Sequence, residues 1–290
     1  MIFYGTSAAE GIPNPFCSCP VCTNARRVRG KEIRRRSMLR LNEGTCIDLG
    51  ADSFCQAIDY GDFINLKHVL VTHTHEDHFA QMMLNVRNMA IRRSRDPLHI
   101  YLTDAAYDIV DFMISSRPIM KGMTGKFVED GIVAFHRLEF GRTKPITDME
   151  VTPLKGNHKG NMDECCANYL IRMADGKMLY YGSDTGYYLE ETFSALDGVR
   201  LDYLISECTF GLTEGRGDTP GGHLDAFSCM KVFWQLYHQK TLSGESQIYL
   251  THINHYRGTH VELCEYFEKQ KFPCRIEVAY DGMEIGQDKL

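Results

Sequence analysis

The sequence predicts a layered α/β fold in which helices cover β-sheets. Short apolar runs of strand length recur along the chain, and segments of helical periodicity separate several of them. In chain order the runs are TCIDLG (45–50), HVLVTH (68–73), LHIYLT (98–103), KMLYYGS (177–183), DYLISE (202–207), QIYLTH (247–252) and RIEVAY (275–280). They are rich in Ile, Leu, Val and Tyr, and polar or glycine positions bound most of them, as expected of buried strands. The segment HFAQMMLNVRNMAIRR (78–93) has helical spacing and a basic end suited to a helix C-terminus. DAFSCMKVFWQLYHQK (225–240) is a second helix, with Asp225 as its N-cap and Phe233, Trp234 and Tyr237 as core positions. GTHVELCEYFEKQ (258–270) is a third.

Composition narrows the class. At 290 residues, 43% hydrophobic and 24% charged, the chain reads as a soluble globular protein of one large domain or two modest ones. No apolar run has the length of a membrane span. MIFYGTSAAEG lacks the basic n-region of a signal peptide, which predicts a cytoplasmic protein. Eleven cysteines, an odd count, argue against a disulfide framework and leave buried thiols, metal ligands or a nucleophile. A net charge of −6 makes nucleic acid an unlikely main partner, because neutralising phosphates needs a basic face. RRVRGKEIRRRS (26–37), with seven Arg or Lys, leaves room for a local basic patch, while Arg34, Arg35 and Arg36 read as a solvated stretch from which one turns inward to pair a carboxylate.

Chemistry concentrates where strands end. VTHTHEDHFA (71–80) places His73, His75, Asp77 and His78 directly after an apolar strand. Alternate residues of an extended segment point the same way, so His73 and His75 can share one metal. Asp77 and His78, at the turn into the next helix, can hold a second. Imidazole with carboxylate suits Zn, Mn or Fe. His158 in the glycine-rich GNHKGN, taken as a loop, Asp184 in GSDTG and His252 in LTHINH complete two sites, with Asp184 as the bridging carboxylate. Two metals about 3.5–4 Å apart clamp a phosphoryl group and lower the pKa of a bridging water. A second cluster, Cys17-x-Cys19-x-x-Cys22, puts three thiols within a compact turn that suits one tetrahedral zinc, with His255 as the fourth ligand.

The motif His-x-His-x-Asp-His followed by separated His, Asp and His resembles the metallo-β-lactamase superfamily. That resemblance implies an αββα sandwich over residues 1–290, a single domain with a zinc knuckle at about 14–30, and Asp48 in CIDLG supporting the ligands. The carboxylate at 184, where true β-lactamases carry Cys, implies the branch of phosphodiesterases, tRNA-processing nucleases and thioesterases. GTSAAEGIP…CSCPVC, LTHINH and the closing YDGMEIG look like the PhnP-type phosphoribosyl cyclic phosphodiesterases. This second resemblance implies two active-site metals (Mn or Zn, or Fe), one structural Zn and a homodimer. It implies hydrolysis of a small cyclic or simple phosphodiester by a metal-bridging hydroxide, with Asp77 and His223 as catalytic residues. His223 matches a histidine placed beside the substrate; from the sequence alone it reads as a helix-start cap. The same core also serves tRNase Z-like nucleases, thioesterases and lactonases. The PQQ-biosynthesis B protein shares the knuckle but generally lacks the full metal motif. The region from Met89 to Val151 and the loop FGLTEGRGDTPGG (210–222) are more elaborate than the PhnP pattern leads one to expect.

Overall fold

The computed structural model describes residues 1–116 and 122–286. Two sheets face each other. The first is ordered β1 (Ile2–Gly5), β2 (Met38–Asn42), β3 (Thr45–Ile47), β4 (His68–Leu70), β5 (Leu98–Thr103) and β6 (Val133–Leu138), and runs parallel from β3 onward. The second comprises β7 (Lys144–Ile146), β8 (Met149–Lys159), β9 (Cys165–Arg172), β10 (Met178–Gly182), β11 (Tyr203–Glu207), β12 (Gln247–Thr251) and β13 (Arg275–Val278) in sequence order. It is antiparallel up to β10 and parallel from β10 to β13.

The strand runs are apolar throughout because both faces of each sheet are covered. Successive side chains alternate between faces. Ile47, Leu70, Leu179 and Tyr181 point between the sheets, into one core shared with Leu39 and Tyr169. Cys46 and Val69 point the other way, onto α3 (Met82–Asn88), α4 (Asp104–Ser115) and α5 (Met123–Glu129). Tyr180 and Leu204 meet α1 (Pro20–Val28), α6 (Glu190–Leu196), α7 (Ala226–His238) and α8 (His260–Lys269). The remaining helix, α2, spans Ser53–Tyr60. The layers are therefore helix, sheet, sheet, helix. Fully burying a Leu or Ile side chain contributes about 1.5–3 kcal/mol, and dozens do so here.

Several details depart from expectation for physical reasons. The first predicted helix starts late, at Met82, because His78 to Ala80 are held to Leu49: Leu49 N–H donates to His78 O (2.8 Å), and Ala80 N–H to Leu49 O (2.9 Å). It ends at Asn88, so Arg92 and Arg93 lie beyond it. Phe233 is fully buried, but Trp234 is 38% exposed and packs edge-on to Phe272. Arg34, Arg35 and Arg36 are anchored rather than solvated. Arg34 is buried and donates to Thr6 Oγ1 (2.8 Å) and Ala279 O (2.6 Å), while Arg35 pairs with Asp59 and Asp281, and Arg36 with Asp52. The elaborate Met89–Val151 region proves to be scaffold: it supplies β5, β6 and the two outer helices α4 and α5, with residues 117–121 outside the described part. Among the described residues no helix is long and apolar enough to cross a membrane.

The parallel strands β3, β4, β10 and β12 all deliver their C-terminal ends to one rim of the sandwich. Ligand-binding residues in α/β folds gather beyond such ends.

Candidate active site

Three residues at these strand exits adopt left-handed backbone: Asp48 (φ 66°), Asp184 (φ 48°) and His252 (φ 53°). Each such conformation costs an L-residue on the order of 1–3 kcal/mol and persists where the surroundings demand it. Here it turns the side chain back over the rim instead of letting the strand run on. Gly50 permits the same convergence: a Cβ there would lie 2.0 Å from Asp77 O, so the turn that carries the HxHxDH residues can settle onto the exit of β3.

The predicted ligands converge in two groups. His73, His75, His158 and Asp184 offer one ligand atom each within 4.8 Å of one another, and so do Asp77, His78, Asp184 and His252. Asp184 belongs to both. Its Oδ2 lies 3.1 Å from His73 Nε2, 3.1 Å from His78 Nε2 and 3.8 Å from His158 Nε2, and its Oδ1 lies 2.7 Å from His252 Nε2. His73 Nε2 and His75 Nδ1 are 2.8 Å apart. His158 does not sit in a loop as expected. It is the penultimate residue of the long β8, where a bulge opposite β9 lets Gly156 approach Cys166 O closely and re-aims the strand end.

The far side of four of the five imidazoles is tied down, and this fixes which nitrogen faces the centre. His78 Nδ1 donates to Asp48 Oδ2 (2.6 Å), and His73 Nδ1 donates to Thr72 Oγ1 (3.1 Å), which passes its own proton to Asp48 (2.9 Å). His158 Nδ1 donates to Gly222 O (3.0 Å). His252 Nδ1 donates to Thr209 Oγ1 (2.9 Å), whose hydroxyl donates to Glu207. In all four, Nε2 is left to present a lone pair to the centre, as metal-ligating histidines do.

Electrostatics agree. Asp48, Asp77, Asp184 and Glu207 are 0–6% exposed, a concentration of buried carboxylate that needs compensating cations. Without metal, protons fill that role. Burial opposes charge on His252 and His78, yet the neighbouring Asp184 and Asp77 outweigh it, lifting His252 to about 10 and His78 well above the usual imidazole value. Burial, reinforced by His78, pushes His73 down to about 3. The donor set fits two divalent cations, which would displace the protons on His78 and His252. Asp48→Ala is expected to weaken metal binding by about 10–100-fold, read by chelator competition, because His73 and His78 lose their common anchor.

The cysteines meet as well. Cys17, Cys19, Cys22 and His255 offer ligand atoms all within 4.8 Å of one another, and Cys19 Sγ lies 3.5 Å from His255 Nδ1. Cys19 is the N-cap of α1, Pro20 takes its first position, and Cys22 lies in its first turn. Burial raises the Cys19 thiol, but the Cys22 N–H and His255 outweigh it and bring it to about 6. Three sulfurs and one imidazole in this arrangement suit tetrahedral zinc.

A family model described as a beta-lactamase superfamily domain matches residues 52–253. The chain belongs to the metallo-β-lactamase superfamily. Solved structures of this fold extend over almost the whole chain. A diphosphatase from the PhnP family is 18% identical, with a TM-score of 0.71 over 99% of this chain and 97% of that one. Zinc-bound PqqB from Methylobacterium extorquens is 17% identical, with a TM-score of 0.70 over 99% of each chain. The short form of human tRNase Z is 15% identical, with a TM-score of 0.62 over 98% of each. No curated protein is similar enough in sequence to count as a match.

Beside the metallo-β-lactamase centre lies a group that sequence reasoning half missed. His223 was expected from resemblance, and as a cap from sequence alone. It caps nothing: Asp225 caps α7 by accepting from Phe227 N (2.9 Å) and Ser228 N (2.8 Å). Instead the His223 ring lies 4.5 Å from that of His158 and stacks at 5.6 Å on His252, with Nδ1 3.2 Å from Glu207 Oε2. Glu207 went unnoticed in the sequence, although an acid ending the apolar run DYLISE at the same rim was the available signal. Burial would lower the His223 pKa, but Glu207 outweighs it and raises it. The 210–222 loop closes over this group: Arg216 stacks on Phe210 at 3.5 Å and donates to His223 O (3.1 Å), and Gly222 O holds His158.

Proposed function

We propose that the protein is a metal-dependent phosphodiesterase acting on small cyclic or simple phosphodiesters. The observation that carries this reading is the pairing of two His/Asp groups that share Asp184 with a His223–Glu207 couple at their edge. Hydrolysis of a phosphodiester needs three things: an activated water, neutralisation of charge on the non-bridging oxygens, and a proton for the departing alkoxide. Two divalent metals bound by His73, His75, His158, Asp77, His78, His252 and the bridging Asp184 would supply Lewis acidity and lower the pKa of a water. Zn, Mn and Fe all suit this donor set.

The chain's own residues do the rest. Asp48, Thr72, Thr209 and the Gly222 carbonyl hold the ligand rings in register. Glu207 raises the pKa of His223 and orients it through Nδ1, so that the protonated ring offers Nε2–H to protonate the leaving oxygen or to bind a phosphoryl oxygen. Asp77, whose carboxylate lies 3.2 Å from His78 Nε2, acts as a ligand, so its part in catalysis runs through the metal. A nuclease reading of the same centre lacks support in charge, since the net charge is −6 and Arg35 and Arg36 are ion-paired. We place the knuckle zinc, held by Cys17, Cys19, Cys22 and His255, in a structural role.

The test is hydrolysis of bis-p-nitrophenyl phosphate and ribose cyclic phosphates with added Mn, alongside metal analysis. Full metal content without diesterase activity, but with thioester or lactone hydrolysis, would overturn the reading. His223→Ala is expected to lower kcat by about 10²–10⁴ with active-site metal retained. His223 must be protonated to act, so activity is present below its pKa and lost as pH rises through it. The Glu207 carboxylate raises that pKa, which places the alkaline limb above the ordinary histidine value. Glu207→Gln is expected to move the limb to lower pH, and an unmoved limb would remove His223 from proton transfer.

A further inference from the structure

One imidazole of the binuclear centre has no anchor of its own. Among the described residues the His75 ring makes a single hydrogen-bond contact, Nδ1 to His73 Nε2 at 2.8 Å, and that contact lies inside the centre. His73, His78, His158 and His252 each have a partner on the far side of the ring. His75 is therefore aimed through its backbone. The residue that joins it to His73 is Thr74, which is 1% exposed and reaches the turn between β8 and β9.

That turn, residues 160–164, holds every polar group of Thr74. Glu164 Oε1 accepts from both the Thr74 N–H and the Thr74 hydroxyl, and Asn161 Nδ2 donates to Thr74 O at 2.7 Å. β9 holds the stretch just before it: Ala167 N–H donates to Thr72 O at 2.8 Å, and Tyr169 Oη donates to Val71 O. His158 lies near the end of β8 on the same hairpin. One hairpin thus supplies the third histidine of the group and fixes the backbone that carries the first two.

Stability does not account for this clamp. Met162 (φ 51°) and Asp163 (φ 63°) are consecutive non-glycine residues in left-handed backbone, which persists where the surroundings demand it. Position 160 has no room for a side chain, since a Cβ there would lie 2.4 Å from Glu164 Oε1. Glu164 itself is 3% exposed, and its Oε2 is buried with no hydrogen-bond partner among the described residues. Burying a carboxylate with one oxygen unpaired opposes folding. The strain, the glycine and the buried acid share one outcome, which is a fixed Thr74.

We propose that Glu164, assisted by Asn161, is a positioning residue that aims His75 at the metal it shares with His73, His158 and Asp184. The proposal rests on the binuclear reading above. The test is chelator competition for Zn²⁺ on the full chain, with zinc per chain followed against free zinc and the melting temperature taken on the metal-free proteins. Glu164→Ala is expected to weaken one active-site ion about 10–100-fold, while the other ion, the knuckle zinc and the metal-free melting temperature stay near wild type. His158→Ala should lose the same ion, so combining the two substitutions should cost no second ion, and loss of a second ion would overturn the proposal. Glu164→Gln keeps an acceptor oxygen for both Thr74 donors and is expected to restore most of the affinity. Equal weakening in Glu164→Gln would make charge, not the hold on Thr74, the active feature, and would also overturn it. So would unchanged zinc affinity in Glu164→Ala beside a wild type that holds both ions, a result that leaves the binuclear centre standing. A wild type without active-site zinc would sink the binuclear reading and this proposal with it.

Discussion

Asp184→Asn is expected to abolish diesterase activity, by at least about 10³-fold in kcat/KM, and to reduce active-site metal from two ions to one or none. The substitution is nearly isosteric, and Asn tolerates the left-handed backbone that residue 184 adopts (φ 48°), so the fold should persist. What disappears is the charge at the point where both ligand groups meet. Asp184 is 2% exposed and reaches His73, His78 and His252 within 3.1 Å, so no water can stand in for it. Metal binding here would release protons from His78 and His252, and those protons are held mainly by Asp184 and Asp77. An amide lacks the negative charge that compensates two dications. Two metals contribute several kcal/mol of transition-state stabilisation, and each 1.36 kcal/mol is tenfold in rate. The measurement is metal content by elemental analysis together with kcat/KM, with circular dichroism as the control for folding. Two metals and near-wild-type activity in the variant would mean that Asp184 is not the bridge.

The convergence of the candidate ligands was legible because their spacing follows from backbone geometry. Alternation along an extended segment pairs His73 with His75, and strand ends in a layered α/β fold share a rim, so His158, Asp184 and His252 could be added from distant parts of the chain. The layered α/β class followed from continuous apolar runs such as VLV and YLI, which only a sheet covered on both faces can bury, whereas the αββα order came with the superfamily resemblance. What stayed hidden depends on tertiary pairing. Glu207 reads locally as the polar end of a strand, and its role appears only when the 210–222 loop brings His223 back over it. Arg34 reads as one charge among many in a basic run, and nothing in its neighbours announces that it will be buried against Thr6 and Ala279, far along the chain. The late start of α3 was illegible for a related reason. The helical periodicity of 78–93 is real, but the Leu49 N–H donating to His78 O and the Ala80 N–H donating to Leu49 O override it.

Cys22→Ser is expected to release the knuckle zinc and to lower the melting temperature by roughly 8–16 °C. Cys22 is fully buried, accepts from Asn14 N–H at 3.3 Å and is pinned by α1, so a serine oxygen cannot move to rescue tetrahedral geometry. A site filled at about 1,000 times its Kd adds about 4 kcal/mol to stability, and for domains of this size each kcal/mol corresponds to about 2–4 °C. The effect should reach the active site through one short stretch of chain. His255 follows His252 by three residues, and between them Ile253 N–H donates to Thr6 O (3.0 Å) while Asn254 N–H donates to Thr209 O (2.9 Å). Loosening His255 therefore loosens the loop that holds both His252 and its Thr209 support. The discriminating readout is the affinity of the binuclear centre, measured by chelator competition below the variant's melting temperature. A weakened centre would show that the knuckle braces the catalytic rim. Lost zinc with unchanged affinity at the centre would confine the knuckle to global stability. Retained zinc with an unchanged melting temperature would exclude Cys22 from the ligand set altogether.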